Sequence, residues 1–206
     1  MTMLELRRHQ PAVMELREAS ATTREFRGFA TAYDSWYDVA GGPEVGGWRE
    51  MVVAGAGRRT LNARPDVRLL FNHDGMALAR TRSGTLLLEE QDAGLLTIAP
   101  ELDLRQTLVN DLAISMDRRD TDEMSFAFRV TRQEWNADYT ERRILEYDLH
   151  ITGSDVSIVT YPANPATVAQ MRAAVNIDEL RAAGAISPGM SLAYARAIAA
   201  QVSAHR

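Results

Sequence analysis

The chain has 206 residues, of which 46% are hydrophobic and 25% charged, and it carries a formal net charge of −5. This composition is ordinary for a globular protein with room for one substantial domain, and the acidic balance argues against a general nucleic-acid-binding protein. The chain contains no cysteine, which excludes disulfides, thiol catalysis and zinc sites built on cysteine.

The N-terminal half is predicted to form mostly short strands. Residues 1–20 look like an arm rather than part of the core, and glycine and proline between residues 34 and 47 indicate a long surface loop. Mixed apolar and polar runs bounded by turn residues predict strands over 22–32, 68–71, 84–88 and 94–98, the last two forming a hairpin.

The second half combines one helix with further strands and a helical end. Leucine or methionine recurs every four residues from Leu104 to Met116, which is the spacing of one buried helix stripe. Residues 124–130 alternate between two faces, and strands are also predicted over 143–149 and 155–161. Two alanine-rich helical segments are predicted beyond Pro165. Consecutive strands with segregated helices indicate an α+β fold, and closure into a small, mostly antiparallel β-barrel would protect the strand edges.

No membrane, metal or cofactor site is expected. No run approaches the roughly 20 apolar residues that span a bilayer, and the N-terminus lacks the apolar core of a signal peptide, so we expect a cytoplasmic protein. Of the four histidines, His9 and His205 lie in terminal segments, which makes a histidine-rich metal site improbable.

His73 and Ser125 are the residues most suited to nucleophilic catalysis. His73 lies in a turn directly after an apolar strand, and Ser125 lies on the strand face opposite Phe126 and Phe128. From the residues alone, a surface histidine and a solvent-facing serine are the favoured interpretations. A catalytic pair would need hydrogen-bonding distance between them and an acceptor that orients the histidine.

The acceptor for His73 has several candidates. Asp155 begins a predicted strand, and Glu146 and His150 lie on or beside the preceding one. Each of them could equally be a surface polar residue. The motifs of nucleotide-binding proteins, of α/β-hydrolases and of His-Glu-x-x-His metalloproteases are absent from the sequence.

Several motifs together resemble the HK97-type prohead (capsid maturation) proteases of tailed phages, which are similar in turn to the herpesvirus assemblins. Their order and spacing match over about residues 22–172. The matching segments are Phe26–Ala30 with Tyr33, Leu70–Asp74, Gly84–Leu86, Asp92–Leu95, Met124–Phe128 and Asp155–Pro165.

The resemblance implies a serine endopeptidase with a small β-barrel surrounded by helices. It implies that His73 is the general base and Ser125 the nucleophile, with Asp155 as the first choice for the third residue, Glu146 the second and His150 the third. It implies no cofactor. The expected domains are an arm over 1–20, the protease domain over 21–172 and a helical tail over 173–206.

The partners implied are the phage major capsid protein and its scaffold, cleaved inside the assembling prohead, together with self-cleavage. Dimerisation of the herpesvirus relatives leaves a homo-oligomer open. The alternative is a catalytically silent scaffold or assembly protein of the prohead, for which the alanine-rich C-terminal segments would be suited. A hydrolase of unrelated fold is a residual third class that has no motif of its own.

Overall fold

A computed structural model describes residues 4–9 and 14–160. Within these residues the chain forms twelve strands, two α-helices and one short 3-10 helix, Pro43–Val45. The strands are β1 Glu5–His9, β2 Met14–Glu18, β3 Thr23–Ala32, β4 Tyr37–Val39, β5 Trp48–Val52, β6 Arg68–Phe71, β7 Asp74–Arg80, β8 Leu87–Gln91, β9 Gly94–Asp103, β10 Glu123–Trp135, β11 Glu141–Asp148 and β12 Asp155–Val159. The helices are α1 Arg58–Asn62 and α2 Thr107–Asp117.

The described strands form one eight-stranded and one four-stranded sheet. The larger sheet has the order β4-β5-β11-β10-β12-β6-β7 with β1 also paired to β10, and the smaller has the order β2-β3-β9-β8. The expected mixture of strands with a few helices is confirmed. Neither strand order returns to its starting strand, so the closed barrel is not confirmed.

Strand β10 is central to the larger sheet because it is long enough to pair with different strands along its length. Its first half pairs with β1 on one side and β12 on the other, and its second half pairs with β11. Phe126 and Phe128 point into the main hydrophobic core, where their rings stack with centroids 4.0 Å apart. The sequence alternation therefore places Ser125 on the opposite face, as predicted.

Local patterns predicted several elements correctly. The strands β3, β6, β9, β10, β11 and β12 and helix α2 are confirmed. The expected hairpin is present as β8 and β9, but β8 begins at Leu87 and shares only residues 87–88 with the strand predicted over 84–88. Helix α2 buries Val109, Leu112 and Ala113. Three residues of the predicted stripe are partly buried and pack against the main core, namely Leu104, Leu108 and Met116.

Other segments differ from the sequence-based expectation. Residues 1–20, expected to be an arm, contain β1 and β2, and the expected loop 34–47 contains β4. Strands β5 and β7 and helix α1 had no predicted counterpart. The predicted C-terminal helices lie outside the described residues.

Candidate active site

The turn that carries His73 is held in a specific backbone conformation. Asn72 and His73 form the two-residue loop of the β6–β7 hairpin, and both have positive φ, 54° and 60°. Two successive left-handed residues are typical of a type I′ turn, which is costly for a histidine. The Asn72 side chain holds the turn, since its Nδ2 donates to Thr160 Oγ1 at 3.0 Å and its Oδ1 accepts from Thr160 N–H at 2.9 Å.

Three neighbouring elements of one sheet bring His73, Ser125 and Asp155 together. Strand β12 lies between β10 and β6, so it can present Asp155 between the serine strand and the histidine turn. His73 Nε2 lies 2.7 Å from Ser125 Oγ, and His73 Nδ1 lies 2.7 Å from Asp155 Oδ1. Because the ionised carboxylate can only accept, Nδ1 carries a proton, and Nε2 of the neutral ring is free to accept the serine proton.

The site is almost completely enclosed. Ser125 has no exposed surface, Asp155 is 5% exposed, and the His73 side chain is 13% exposed. The expectation of a solvent-facing serine is therefore wrong: Ser125 lies between β1 and β12 in the sheet, and its hydroxyl contacts the His73 ring. In such a water-poor setting, the hydrogen bonds of the three residues are stronger than they would be at a surface.

Ser157 supports this arrangement and was not recognised in the sequence. It lies on the same face of β12 as Asp155, two residues later, and is completely buried. Its hydroxyl donates to Asp155 Oδ1 at 2.6 Å and accepts from the His73 backbone N–H at 3.2 Å. Ser157 thus connects the carboxylate to the histidine turn. The signal available in the sequence was the Asp-x-Ser spacing, which puts both side chains on one strand face.

Replacing Ser157 with alanine tests this positioning role. A hydrogen bond to a charged group is worth roughly 1.5–3 kcal/mol, so we expect Ser157→Ala to lower kcat about tenfold or more. KM should change little if Ser157 has no contact with substrate. In an Asp155→Asn background the same substitution should have almost no further effect, whereas general loss of structure would lower both backgrounds equally. Steady-state kinetics on the four proteins, with thermal unfolding as a control, decide between these outcomes.

The other two candidates for the third residue lie away from His73. Glu146 on β11 accepts a hydrogen bond from Thr131 Oγ1 at 2.8 Å and forms an ion pair with Arg59 at 3.4 Å. His150 is exposed after β11, and its backbone N–H donates to Asp148 Oδ1 at 2.9 Å. The geometry therefore favours Asp155 as the partner of His73.

Strand β1 passes directly in front of Ser125. It pairs antiparallel with β10, with Arg8 opposite Ser125. The Ser125 hydroxyl lies 3.0 Å from the carbonyl oxygen of Arg7, to which it can donate. The single serine proton therefore has two acceptors within reach, the histidine ring and a peptide carbonyl.

Next to β1 lies a buried group of charged residues centred on Glu50 of β5. The Glu50 side chain has no exposed surface and accepts hydrogen bonds from Arg7, Tyr37 and Arg142. Burial alone would raise the pKa of Glu50, but the charges of Arg7 and Arg142 outweigh burial and hold the pKa at about 2. Burial lowers the pKa of Arg7, and Glu50 with Glu5 more than restores it. Glu50, Arg7 and Arg142 are therefore all charged at neutral pH.

The lowered pKa of Glu50 predicts how acid destabilises the fold. Because the folded value is about 2 and the ordinary value 4.5, the contribution of Glu50 is complete above pH 4.5 and is lost as the pH falls towards 2. We expect the difference in free energy of unfolding between wild type and Glu50→Gln to shrink over that window. Asp103 also has a pKa of about 2 but titrates in both proteins, so the difference isolates Glu50. Urea unfolding at a series of pH values measures it, and a constant difference would contradict the assignment.

Residues 4–9 and 14–160 contain neither a candidate metal site nor a candidate membrane-spanning helix. No group of three or more histidine, aspartate or glutamate side chains is placed to hold a metal ion in this part of the chain. Across the same described residues, no helix combines the length and the apolar character that crossing a membrane requires.

The model of one protein family, described as caudovirus prohead serine protease, matches residues 12–181 of this chain. The match includes His73, Ser125 and Asp155 and covers well over half of the sequence. No curated protein and no solved structure matches the chain.

Proposed function

The chain belongs to the caudovirus prohead serine protease family, and on this basis we propose that it is an endopeptidase acting in phage capsid maturation. Its substrates are the major capsid protein or its scaffold, and it also cleaves itself, inside the prohead that assembles in the bacterial cytoplasm. Residues 21–172 form its protease domain.

The observation that carries this proposal is the continuous chain of hydrogen bonds from Asp155 through His73 to Ser125. Both links are 2.7 Å long, which is the heavy-atom distance that proton transfer requires. A serine, a histidine and a carboxylate in this order can perform acyl transfer on any fold, because the roles depend on geometry and not on position in the sequence.

The proposed reaction has two halves. Ser125 Oγ forms a bond to the carbonyl carbon of the scissile peptide, and its proton passes to His73 Nε2. The carbon–nitrogen bond then breaks, the amine leaves with the proton from His73, and an ester to Ser125 remains. Water attacks this ester, giving one proton to His73, and the ester bond breaks to release the new carboxyl terminus. His73 returns the proton to Ser125.

Asp155 acts through His73 in both halves of the reaction. Its carboxylate accepts from Nδ1 and thereby holds the ring in the tautomer whose Nε2 can accept the serine proton. It also stabilises the positive charge that His73 carries after each transfer. Ser157 keeps the carboxylate in place through its 2.6 Å hydrogen bond.

Co-expression with the capsid protein of the same phage tests the proposal. We expect wild type to produce a shortened capsid protein, seen on denaturing gels and by intact mass, and Ser125→Ala to leave it at full length. If the capsid protein stays at full length with both proteins while the enzyme is folded and the two proteins associate, the endopeptidase proposal is wrong. The catalytically silent assembly role would then be supported.

A further inference from the structure

Strand β1 occupies the position that an extended peptide substrate would take. The first half of β10 pairs with β12 on one side and β1 on the other, so without β1 this part of β10 would be an open sheet edge. Peptides commonly bind proteins by adding a strand to such an edge. The contact of the Arg7 carbonyl with Ser125 Oγ places the peptide bond between residues 7 and 8 at the nucleophile.

The side chain on the acyl side of this peptide bond enters a buried pocket that contains the Glu50 carboxylate. Arg7 Nε and Nη2 donate to the two oxygens of Glu50 at 2.5 and 3.0 Å, a bidentate pair. Its guanidinium also lies 5.9 Å from the centre of the Phe128 ring. The surrounding residues Tyr37, Glu50, Phe128 and Arg142 come from β4, β5, β10 and β11, so the pocket belongs to the body of the protein and not to β1.

A second side chain of β1, that of Glu5, forms an ion pair with Arg142 next to the same pocket. Arg142 Nη1 and Nη2 donate to the Glu5 carboxylate at 2.6 and 2.8 Å, and Nη1 also donates to Glu50 at 2.8 Å. Glu5 and Arg7 of β1 therefore add one negative and one positive charge to a site that already contains the negative Glu50 and the positive Arg142. An occupant without the basic residue would leave a buried carboxylate without its bidentate partner, which is strongly unfavourable.

We propose that Glu50 is the floor of the pocket that selects the substrate residue before the cleaved bond, and that β1 fills this groove in the position of a substrate. The enzyme then cleaves after arginine, or less well after lysine, with an acidic residue two positions earlier read by Arg142. This specificity rests on the proposed endopeptidase function and gives its substrate class, an acidic–x–basic peptide segment.

The chain itself contains further copies of the same tripeptide. Glu-Leu-Arg occurs at 5–7, 15–17 and 179–181. The copy at 15–17 lies in β2, which pairs with β3 in the four-stranded sheet and not with β10, the strand of Ser125. The copy at 179–181 lies outside the described residues. Cleavage after Arg7 or Arg181 gives a change in intact mass that reports self-processing directly.

The test uses a synthetic peptide with the sequence of residues 1–12 as substrate for the full-length enzyme. One variant peptide has methionine in place of Arg7 and another has glutamine in place of Glu5. We expect cleavage after Arg7 in the parent peptide, with kcat/KM lowered about 100-fold by methionine and about tenfold by glutamine, because each change leaves a buried charge without its partner. An Arg7→Ala enzyme, whose own β1 is held less tightly, should cleave the parent peptide faster than wild type does.

Variants of the enzyme separate a specific pocket from a structural ion cluster. Glu50→Gln should lose most of the preference for arginine over methionine, whereas the matched control Glu141→Gln, at an exposed ion pair with Arg49, should keep it. The ratio of the two kcat/KM values is insensitive to the amount of folded enzyme, so partial unfolding of Glu50→Gln does not obscure the result.

The outcomes distinguish the specificity from the function on which it rests. Equal cleavage of the parent and methionine peptides, or cleavage at another bond, would overturn the pocket assignment and leave the endopeptidase proposal intact. The same conclusion follows if wild type shortens the capsid protein but cleaves none of the peptides. If wild type cleaves neither peptides nor capsid protein, the proposed function itself fails and the specificity falls with it.

Discussion

Ser125→Ala is expected to lower the rate of capsid-protein cleavage by about four to six orders of magnitude, which is the range seen when a serine protease loses its nucleophile. The physical reason is that alanine has no oxygen with which to form the acyl-enzyme. The fold should tolerate the change, since the substitution removes one atom from a buried site and leaves both strand pairings of β10 in place. Cleavage is followed by intact mass over hours, at matched enzyme concentrations.

A matched control for this substitution is Ser83→Ala. Ser83 is exposed in the turn after β7, where its hydroxyl bonds to the Arg80 carbonyl at 3.0 Å. Its replacement should leave the cleavage rate unchanged. If Ser125→Ala retained more than about a hundredth of the wild-type rate, Ser125 could not be the nucleophile, whatever its distance from His73.

Asp155→Asn is expected to have the second largest effect, a loss of about 10⁴-fold in kcat. The amide can donate to Nδ1, which favours the tautomer with the proton on Nε2, and that nitrogen then cannot accept from Ser125. The charge that stabilises protonated His73 is lost as well. The same carboxylate-to-amide change at Glu146 is the natural control, because Glu146 was the second candidate in the sequence and lies against Thr131 and Arg59 instead of His73.

We therefore expect Glu146→Gln to keep kcat within a few-fold of wild type. Comparable losses in both variants would mean that the effect arises from changed charge or stability in general. A large loss in Glu146→Gln alone would reverse the assignment and would show that the active conformation differs from the one described.

The parts of the fold that could be predicted are those whose pattern is local. The four-residue spacing of apolar side chains indicated α2, and strict alternation indicated β10, because in both elements one face is buried by the core. Strand β1, with the sequence Glu-Leu-Arg-Arg-His, has no such pattern. It is a strand because it pairs with β10, and the charges of Glu5 and Arg7 are tolerated because these residues bind Arg142 and Glu50. None of these contacts is close in sequence.

The candidate site could be predicted only in part, and not from local patterns. The residues alone favoured surface roles for His73 and Ser125, and it was the resemblance to prohead proteases that singled out both of them and Asp155. Glu50 was missed because its partner Arg7 is 43 residues away in the chain, and Ser157 was missed because its link to the turn of His73, 84 residues away, appears only in the fold. For Glu50, a weak signal existed, since a glutamate inside the short strand Trp-Arg-Glu-Met-Val is unusual unless it is paired.

The most direct test of the central claim, that Ser125 is the nucleophile of an endopeptidase, is to trap the acyl-enzyme. Wild type is mixed with capsid protein, quenched in acid within the first turnovers, digested and mapped by mass spectrometry. We expect the digest peptide containing Ser125 to gain the mass of the C-terminal digest fragment of the N-terminal product minus water, and the Ser125→Ala enzyme to gain nothing. Cleavage without any acylated species, or an acyl group on another residue, would contradict the account.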